Sequence, residues 1–166
     1  MADQLYSYCD HQIGTPQEVF NHPYNLFVAE FIGSPKMNMF DAKLVKVDGK
    51  YAVELDGYTA VLSDEKQEKL AAKNVEEQEI KLGIRPEHIF LEENGIQANV
   101  DVSEMMGSSI HLHVTAVDQD VVMVVNTMNM TGAEVAALTG GKALTFGFGG
   151  NNCHVFNKET GINLEA

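Results

Sequence analysis

The chain has 166 residues, enough for one domain, or for one domain and part of another. Apolar residues make up 45% of it, so it can bury a real core, while 11 Lys plus Arg against 24 Asp plus Glu give a formal charge of −13. That field disfavours nucleic acid and anionic lipid as partners. No apolar run approaches the roughly 18 residues that span a bilayer. The N-terminus lacks the basic head and long apolar stretch of a secretory signal. Two cysteines, Cys9 and Cys153, make no disulfide framework, and a reduced cytoplasmic compartment fits them best.

In chain order, Thr15-Pro16-Gln17-Glu18 carries the signals of a helix start: a capping hydroxyl, a first-turn proline and a capping-box acid. Pro23 ends that helix. A second helix is expected near Tyr24 to Ile32, closed by Gly33 and Pro35. Its Leu26, Phe27, Val28, Ala29, Phe31 and Ile32 are apolar nearly all round, as in a helix buried in something larger. Ser34 to Asn38 reads as a linker. From Met39 the texture becomes β. Asp48-Gly49 and Asp56-Gly57 separate short β runs and signal type I′ hairpins. Ser63 to Asn74 is helical, with Ser63 as cap and acids in the first turn. Further strands follow, with turns expected at Asn94-Gly95, at Ser103 to Gly107, at Asp118-Gln119-Asp120 and at Asn157 to Gly161. A helical turn or two is expected at residues 133–138. The fold class is mainly β: an OB-like small barrel or sandwich with a few short helices, preceded by a short helical segment.

Few residues suggest chemistry. Leu138 to Ala143 resembles half of a phosphate-binding loop, but Ala136 and Ala143 replace the required glycine and hydroxyl, so a turn is the better explanation. Gly147 to Asn152 lacks the third glycine of a dinucleotide fingerprint and opens no helix. His111 and His113 share one face of a strand. Cys153-His154 and Cys9-Asp10-His11 lie elsewhere, and nothing in the spacing makes them converge on a metal or form a nucleophilic pair. Met123, Met128 and Met130 are core filler or an adaptable contact face. In Gly83-Ile84-Arg85-Pro86-Glu87-His88-Ile89, Pro86 ends a strand, and Arg85 is placed to satisfy a carbonyl or carboxylate at the corner.

Several segments, taken in order, carry a family resemblance. They are MAD at 1–3, GTPQEVFNHPYNLFVAEFIGSPKMN at 14–38, GIRPEHI at 83–89, the Ser103-Glu104-Met105-Met106-Gly107 corner and CHVFNKETGINL at 153–164. The set resembles the C-terminal part of the ATP-binding subunits of maltose-type carbohydrate ABC importers, over essentially the whole chain. The resemblance implies that residues 1–33 are the end of an ATPase domain and 34–166 an OB-like regulatory domain of the transport-associated OB (TOBE) type. Gly83, Arg85, Pro86, Glu87, Glu104 and Gly107 would be family-motif positions with structural or interface roles. The phosphate loop, the metal and catalytic carboxylates and the switch histidine would lie before Met1. The chain itself would then hold no catalytic, cofactor or metal site, with ATP and Mg belonging to the full-length parent. One departure stands out: QLYSYCDHQI at 4–13 replaces the family's apolar strand and glycine turn, implying an altered or absent last strand of the ATPase sheet.

Two functions follow. The first is a regulatory and dimerising domain of a sugar importer's ATP-binding subunit. It would form a homodimer and work with membrane-spanning permease subunits and regulatory proteins at the cytoplasmic face of the membrane. The second is a stand-alone OB-like module for a small ligand or oxyanion. Nucleic acid is excluded as a partner by the charge and the few aromatics in the strands.

Overall fold

Short elements open the chain. Tyr6–Ser7 (β1) pairs with Ile13–Gly14 (β2), and Leu26–Phe31 forms a helix, α1, in the computed structural model. The structure describes residues 6–7, 13–15, 17, 21–31, 36–138 and 141–165. Of the helix expected from Thr15, Gln17 and Asn21 are helical, while Pro16 and residues 18–20 lie outside the described residues. So do Ile32, Gly33, Ser34 and Pro35, the expected close of the second helix. The Asn25 side chain starts α1 by accepting from the Val28 N–H at 3.0 Å.

The two Asp-Gly turns then set the first sheet. Asp48, Gly49, Asp56 and Gly57 all have positive φ, as both central residues of a type I′ loop must. They join β3 (Asn38–Val47), β4 (Lys50–Leu55) and β5 (Tyr58–Val61) into a meander. After α2 (Asp64–Ala72), β6 (Gln78–Ile84) pairs with the free side of β3. The sheet order is β11-β6-β3-β4-β5, with β11 (Cys153–Asn157) at one edge. Ser63 stands at the N-cap of α2 but makes no side-chain capping bond. The helix is instead fastened by Gln67, whose carboxamide behaves like one residue of a neighbouring strand. It accepts from Tyr51 N–H and donates to Tyr51 C=O, both at 2.7 Å.

A second sheet of order β10-β7-β8-β9 contains β7 (Ile89–Met106), β8 (Ser109–Ala116), β9 (Gln119–Asn126) and β10 (Ala143–Phe148). Between β9 and β10 a short helix, α3 (Gly132–Ala136), is opened by a Thr131–Glu134 capping box. The two inner faces share one core, with Leu44, Val53, Leu82 and Ile84 meeting Val100, Leu112, Met123 and Phe146. Each such fully buried side chain contributes about 1.5–3 kcal/mol. This is the mainly β, OB-like barrel or sandwich that the strand spacing implies.

Three turns differ from expectation. Asn94-Gly95 is no hairpin: β7 runs through it, and its pairing with β10 jumps from Leu91↔Phe146 to Gln97↔Thr145. Residues 92–96 therefore bulge from the ladder. Glycine is required at 95 because a Cβ there would lie 2.1 Å from the Phe146 carbonyl oxygen. Ser103 to Met106 continue β7, so the corner is the tight turn at Gly107 and Ser108. The β8–β9 turn falls on Val117 and Asp118, both at positive φ, one residue earlier than the sequence suggests. Valine is a poor residue for that conformation, and its side chain is retained by packing against the core.

Asn38 is a further correction: it begins β3 instead of ending a linker. Its buried carboxamide reaches the edge of the opposite sheet, donating to Val122 C=O at 2.8 Å and accepting from Val122 N–H at 3.0 Å. Beside it, Gln119 donates from Nε2 to Met39 C=O at 2.6 Å. Asn38→Ala removes both partners of Val122 and should destabilise the chain by about 2–3 kcal/mol. A urea titration should show a lowered midpoint with unchanged slope; a midpoint within error of the parent chain would refute the clasp.

Candidate functional site

The motif Gly83 to Ile89 forms the end of β6, a single 3-10 turn at Pro86–His88, and the start of β7. Pro86 occupies the first helical position, where its missing N–H costs nothing. Gly83 allows close packing: a Cβ would meet Met37 Sδ at 2.4 Å and the Phe156 ring at 3.1 Å. The Pro86–His88 turn packs against β9, the edge strand that Asn38 clasps. Glu87 points outward and is exposed.

Arg85 is the largest side chain buried to this degree, at 1% exposed. Burial holds its guanidinium below the ordinary arginine range, and nearby Glu87 opposes that shift. Arginine remains a cation at neutral pH even so. Antiparallel pairing of β11 with β6 brings Cys153 opposite Ile84 and His154 opposite Gly83. The loop before β11 therefore lies beside Arg85. A cleft of about 220 Å³ results, with Arg85, His88 and His154 on one side and Asn151 and Asn152 from the loop. Asn21 and His22 of the N-terminal segment also line it. A second cleft of about 170 Å³ shares His22 and His154 and adds Lys69 and Glu165.

His154 is 8% exposed, and its ring makes no hydrogen bond to a described residue. Its pKa is pushed down to about 3, first by burial and then by the nearby charges of Lys66, Arg85, His88 and His22. His88 Nδ1 is buried with no hydrogen-bond partner. A buried unsatisfied polar atom costs about 1–3 kcal/mol. Cys153 is fully buried and burial raises its thiol to about 12, so no thiolate nucleophile stands next to His154.

Glu104 and Gly107 belong to a different hairpin. Glu104 is paired with His113 at 3.1 Å, and Gly107 forms the β7–β8 turn. The six motif positions thus separate into a buried turn and an exposed hairpin end. Among the described residues, no group of three or more His, Cys, Asp or Glu is placed to hold a metal ion. Gly141 turns the chain into β10 by donating from its N–H to Val100 C=O at 2.6 Å, and Thr139 and Gly140 lie outside the described residues. A further cleft of about 660 Å³ lies away from the motif between β7, β10 and the β8–β9 turn, where Asn99, Thr115 and Asp118 line it. His154, Asn151 and Asn152 were not legible as partners of Arg85. Their only signal is the β6–β11 register, which a single sequence does not display.

Two antiparallel sheets sharing one core, closed by a buried Arg-Pro turn, define an OB-type accessory domain. Residues 33–89 match the family model described as the MalK OB fold domain, and residues 82–156 match that of the TOBE domain. The two matches overlap on the Arg85 motif. The chain belongs to this family of MalK-type OB-fold and TOBE domains, as its relatives also indicate. It is 32% identical to the oligosaccharides import ATP-binding protein MsmX of Bacillus subtilis over 161 residues, 92% of this chain and 41% of that protein. It is 40% identical to the multiple sugar-binding transport ATP-binding protein MsmK of Streptococcus mutans over 110 residues, 61% of this chain and 28% of that protein. The chain thus spans less than half the length of these relatives. A molybdate-bound crystal structure of the cytoplasmic molybdate-binding protein ModG shares the fold. Its TM-score is 0.53 at 14% identity, over 71% of this chain and 94% of that one.

A pH prediction follows from His154. Its folded pKa lies below the unfolded value of about 6.5, so the unfolded chain binds the extra proton. That contribution is complete above pH ~6.5 and is lost as pH falls toward about 3. His154→Gln should therefore flatten the loss of stability between pH 6.5 and pH 4, by as much as ~3 kcal/mol. Denaturant midpoints across that range check it; parallel curves for parent and variant would contradict the assignment.

Proposed function

We propose that the chain is the regulatory and dimerising domain of a carbohydrate ABC importer's ATP-binding subunit and does not itself hydrolyse ATP. The observation that carries this is the pair of family matches meeting on the buried Arg85 turn. The sugar-import names of relatives aligned over up to 92% of the chain agree with it. Residues 34–166 form the regulatory unit in this reading, and residues 1–33 are the end of an ATPase domain. The start of the first family match at residue 33 supports that boundary. The sequence contains no complete phosphate loop, since Ala136 and Ala143 interrupt the partial match. ATP and Mg therefore belong to the full-length subunit. Its partners are a second copy, membrane-spanning permease subunits and regulatory proteins at the cytoplasmic face of the membrane. No described helix is long and apolar enough to cross a membrane.

For the dimer face we favour the end of the β7–β8 hairpin. Met105, Met106 and Val102 are exposed there. Met128 lies alongside, just past Thr127, whose N–H donates to Ser108 C=O. Exposed apolar side chains gathered at one end suit a contact surface, and methionine adapts to a partner's shape. Light scattering should give twice the 18.2 kDa chain mass. Met105→Glu with Met128→Glu should give a folded monomer, and the parent chain should release no phosphate from ATP above background. A monomeric parent chain at high concentration, or turnover abolished by a substitution within the chain, would overturn the corresponding half of the proposal.

A further inference from the structure

The chain has eight methionines, and the described ones fall into two groups. Met37 and Met123 are 4% and 0% exposed, and Met39 and Met130 pack against the apolar clusters. Met105, Met106 and Met128 are 62%, 52% and 74% exposed. These three gather at one end of the second sheet. Met105 and Met106 are the last residues of β7; Met106 stands opposite Ser109, and Ser109 opposite Asn126 of β9. The Thr127 N–H donates to Ser108 C=O at 2.8 Å and the Met128 N–H to Asn126 Oδ1 at 2.9 Å, which fixes Met128 beside the same turn. We propose that these three thioethers form a reversible oxidation site, and that their conversion to sulfoxides releases a second copy of the chain from this face.

The reacting atom is the thioether sulfur, and the oxidant is a peroxide. A sulfur lone pair attacks one oxygen of hydrogen peroxide; the S–O bond forms as the O–O bond breaks, and the other oxygen leaves as water. Sulfur loses two electrons and the peroxide gains them. A dithiol reductase reverses the step, with the sulfoxide oxygen leaving as water and the two thiols closing to a disulfide. Access to the sulfur decides which methionines react. Met37 Sδ is pressed against Gly83, and Met123 lies in the core between the sheets. The sulfurs at the β7–β8 turn are open to solvent. Cys153 does not compete, because it is fully buried and burial raises its thiol to about 12.

The product changes what the face can bind. A thioether is apolar and adapts its shape, whereas a sulfoxide is polar and chiral. On the free chain, water solvates the new oxygen, and the exposed sites let the fold tolerate it. Against a second copy the oxygen would be buried beside apolar side chains such as Val102, at the cost of its hydration. The release step rests on the dimer reading given above; the choice of methionines rests on exposure alone. A second copy seated on this face would in turn cover the sulfurs. Peroxide would then act on the dissociated chain, so association and oxidation oppose each other by mass action.

The test treats the whole 166-residue chain with hydrogen peroxide, in a Cys9→Ser background that removes the other thiol. Peptide mapping by tandem mass spectrometry follows each methionine, and light scattering follows the mass. Met105, Met106 and Met128 should gain oxygen about tenfold faster than Met37 and Met123. The dimer should dissociate as they do, its affinity weakened about tenfold or more. Methionine sulfoxide reductases, with dithiothreitol as electron donor, should restore it. The variant Met105→Leu with Met106→Leu and Met128→Leu keeps the face apolar and should remain dimeric in the same peroxide. Oxidation should also slow as chain concentration rises through the range of dimerisation. Equal rates at all the methionines would overturn the site. A fully oxidised chain that stays dimeric, or a leucine variant that dissociates like its parent, would overturn the release step. A chain already monomeric before peroxide is added overturns the dimer reading and the release step together, while the rates at each methionine still decide the oxidation site.

Discussion

Two side-chain carboxamides hold the sheets together at an edge where no backbone ladder runs. Asn38 offers a donor and an acceptor to Val122, the pattern a neighbouring strand would offer, and Gln119 returns a bond to Met39. Without them the β9 edge would present unpaired N–H and C=O groups, a standing invitation to pair with another chain. The consequences run along two cross-strand rows. Asn38 is opposite Ile84, which is opposite Cys153; Met39 is opposite Gly83, which is opposite His154. The clasp and the donor-lined cleft are therefore consecutive steps of one register. A slip of one residue in β6 would turn Gly83 to the other face and change the residues opposite Met39 and His154, disturbing both.

Local chemistry was legible in the sequence, and pairing at a distance was not. Asp48-Gly49 and Asp56-Gly57 announce their turns because positive φ is a property of those residues alone. The apolar strand runs likewise announce a mainly β core. Asn94-Gly95 carries the same local signal and misleads. Its surroundings require a strand that bulges past the Phe146 carbonyl, and glycine serves that close approach instead of a turn. Val117 misleads in the opposite way, since core packing holds a β-branched residue where propensity would not. Asn38 reads as linker because an asparagine in a polar stretch looks solvated. Only the opposite sheet, 84 residues away, shows what its amide is for.

The site shows the same division. Arg85 could be singled out because a charged residue between a strand and a proline needs a partner. Its burial, and the gathering of His88, His154 and the two asparagines around it, arise from the β6–β11 pairing. Net charge misdirects here as well. A formal −13 describes the far field and the solubility of the chain. At contact distance the few groups lining a cleft decide its potential, more so where burial lowers the dielectric. An acidic protein can therefore hold a cleft whose described lining, Arg85 with imidazoles and carboxamides, is rich in N–H donors.

The same geometry bears on how the helical segment belongs to the β domain. The expectation of a helix whose apolar faces need a larger body is met in part within the chain. Val28 and Ala29 are fully buried, and Ala29 packs with Met37 and Phe156, while Phe27 stays 42% exposed. The tail completes the attachment. Leu26 N–H donates to Gly161 C=O at 2.8 Å, Asn163 N–H to Tyr24 C=O at 2.7 Å, and the Asn163 side chain to Pro23 C=O at 2.8 Å. Leu164 N–H in turn donates to Val155 C=O at 2.9 Å on β11. Backbone hydrogen bonds thus join α1 to the tail and the tail to β11, and β11 pairs with β6, the strand that ends just before Arg85. The segment between Pro23 and Leu26 is mechanically part of the β domain, whatever domain its sequence descends from.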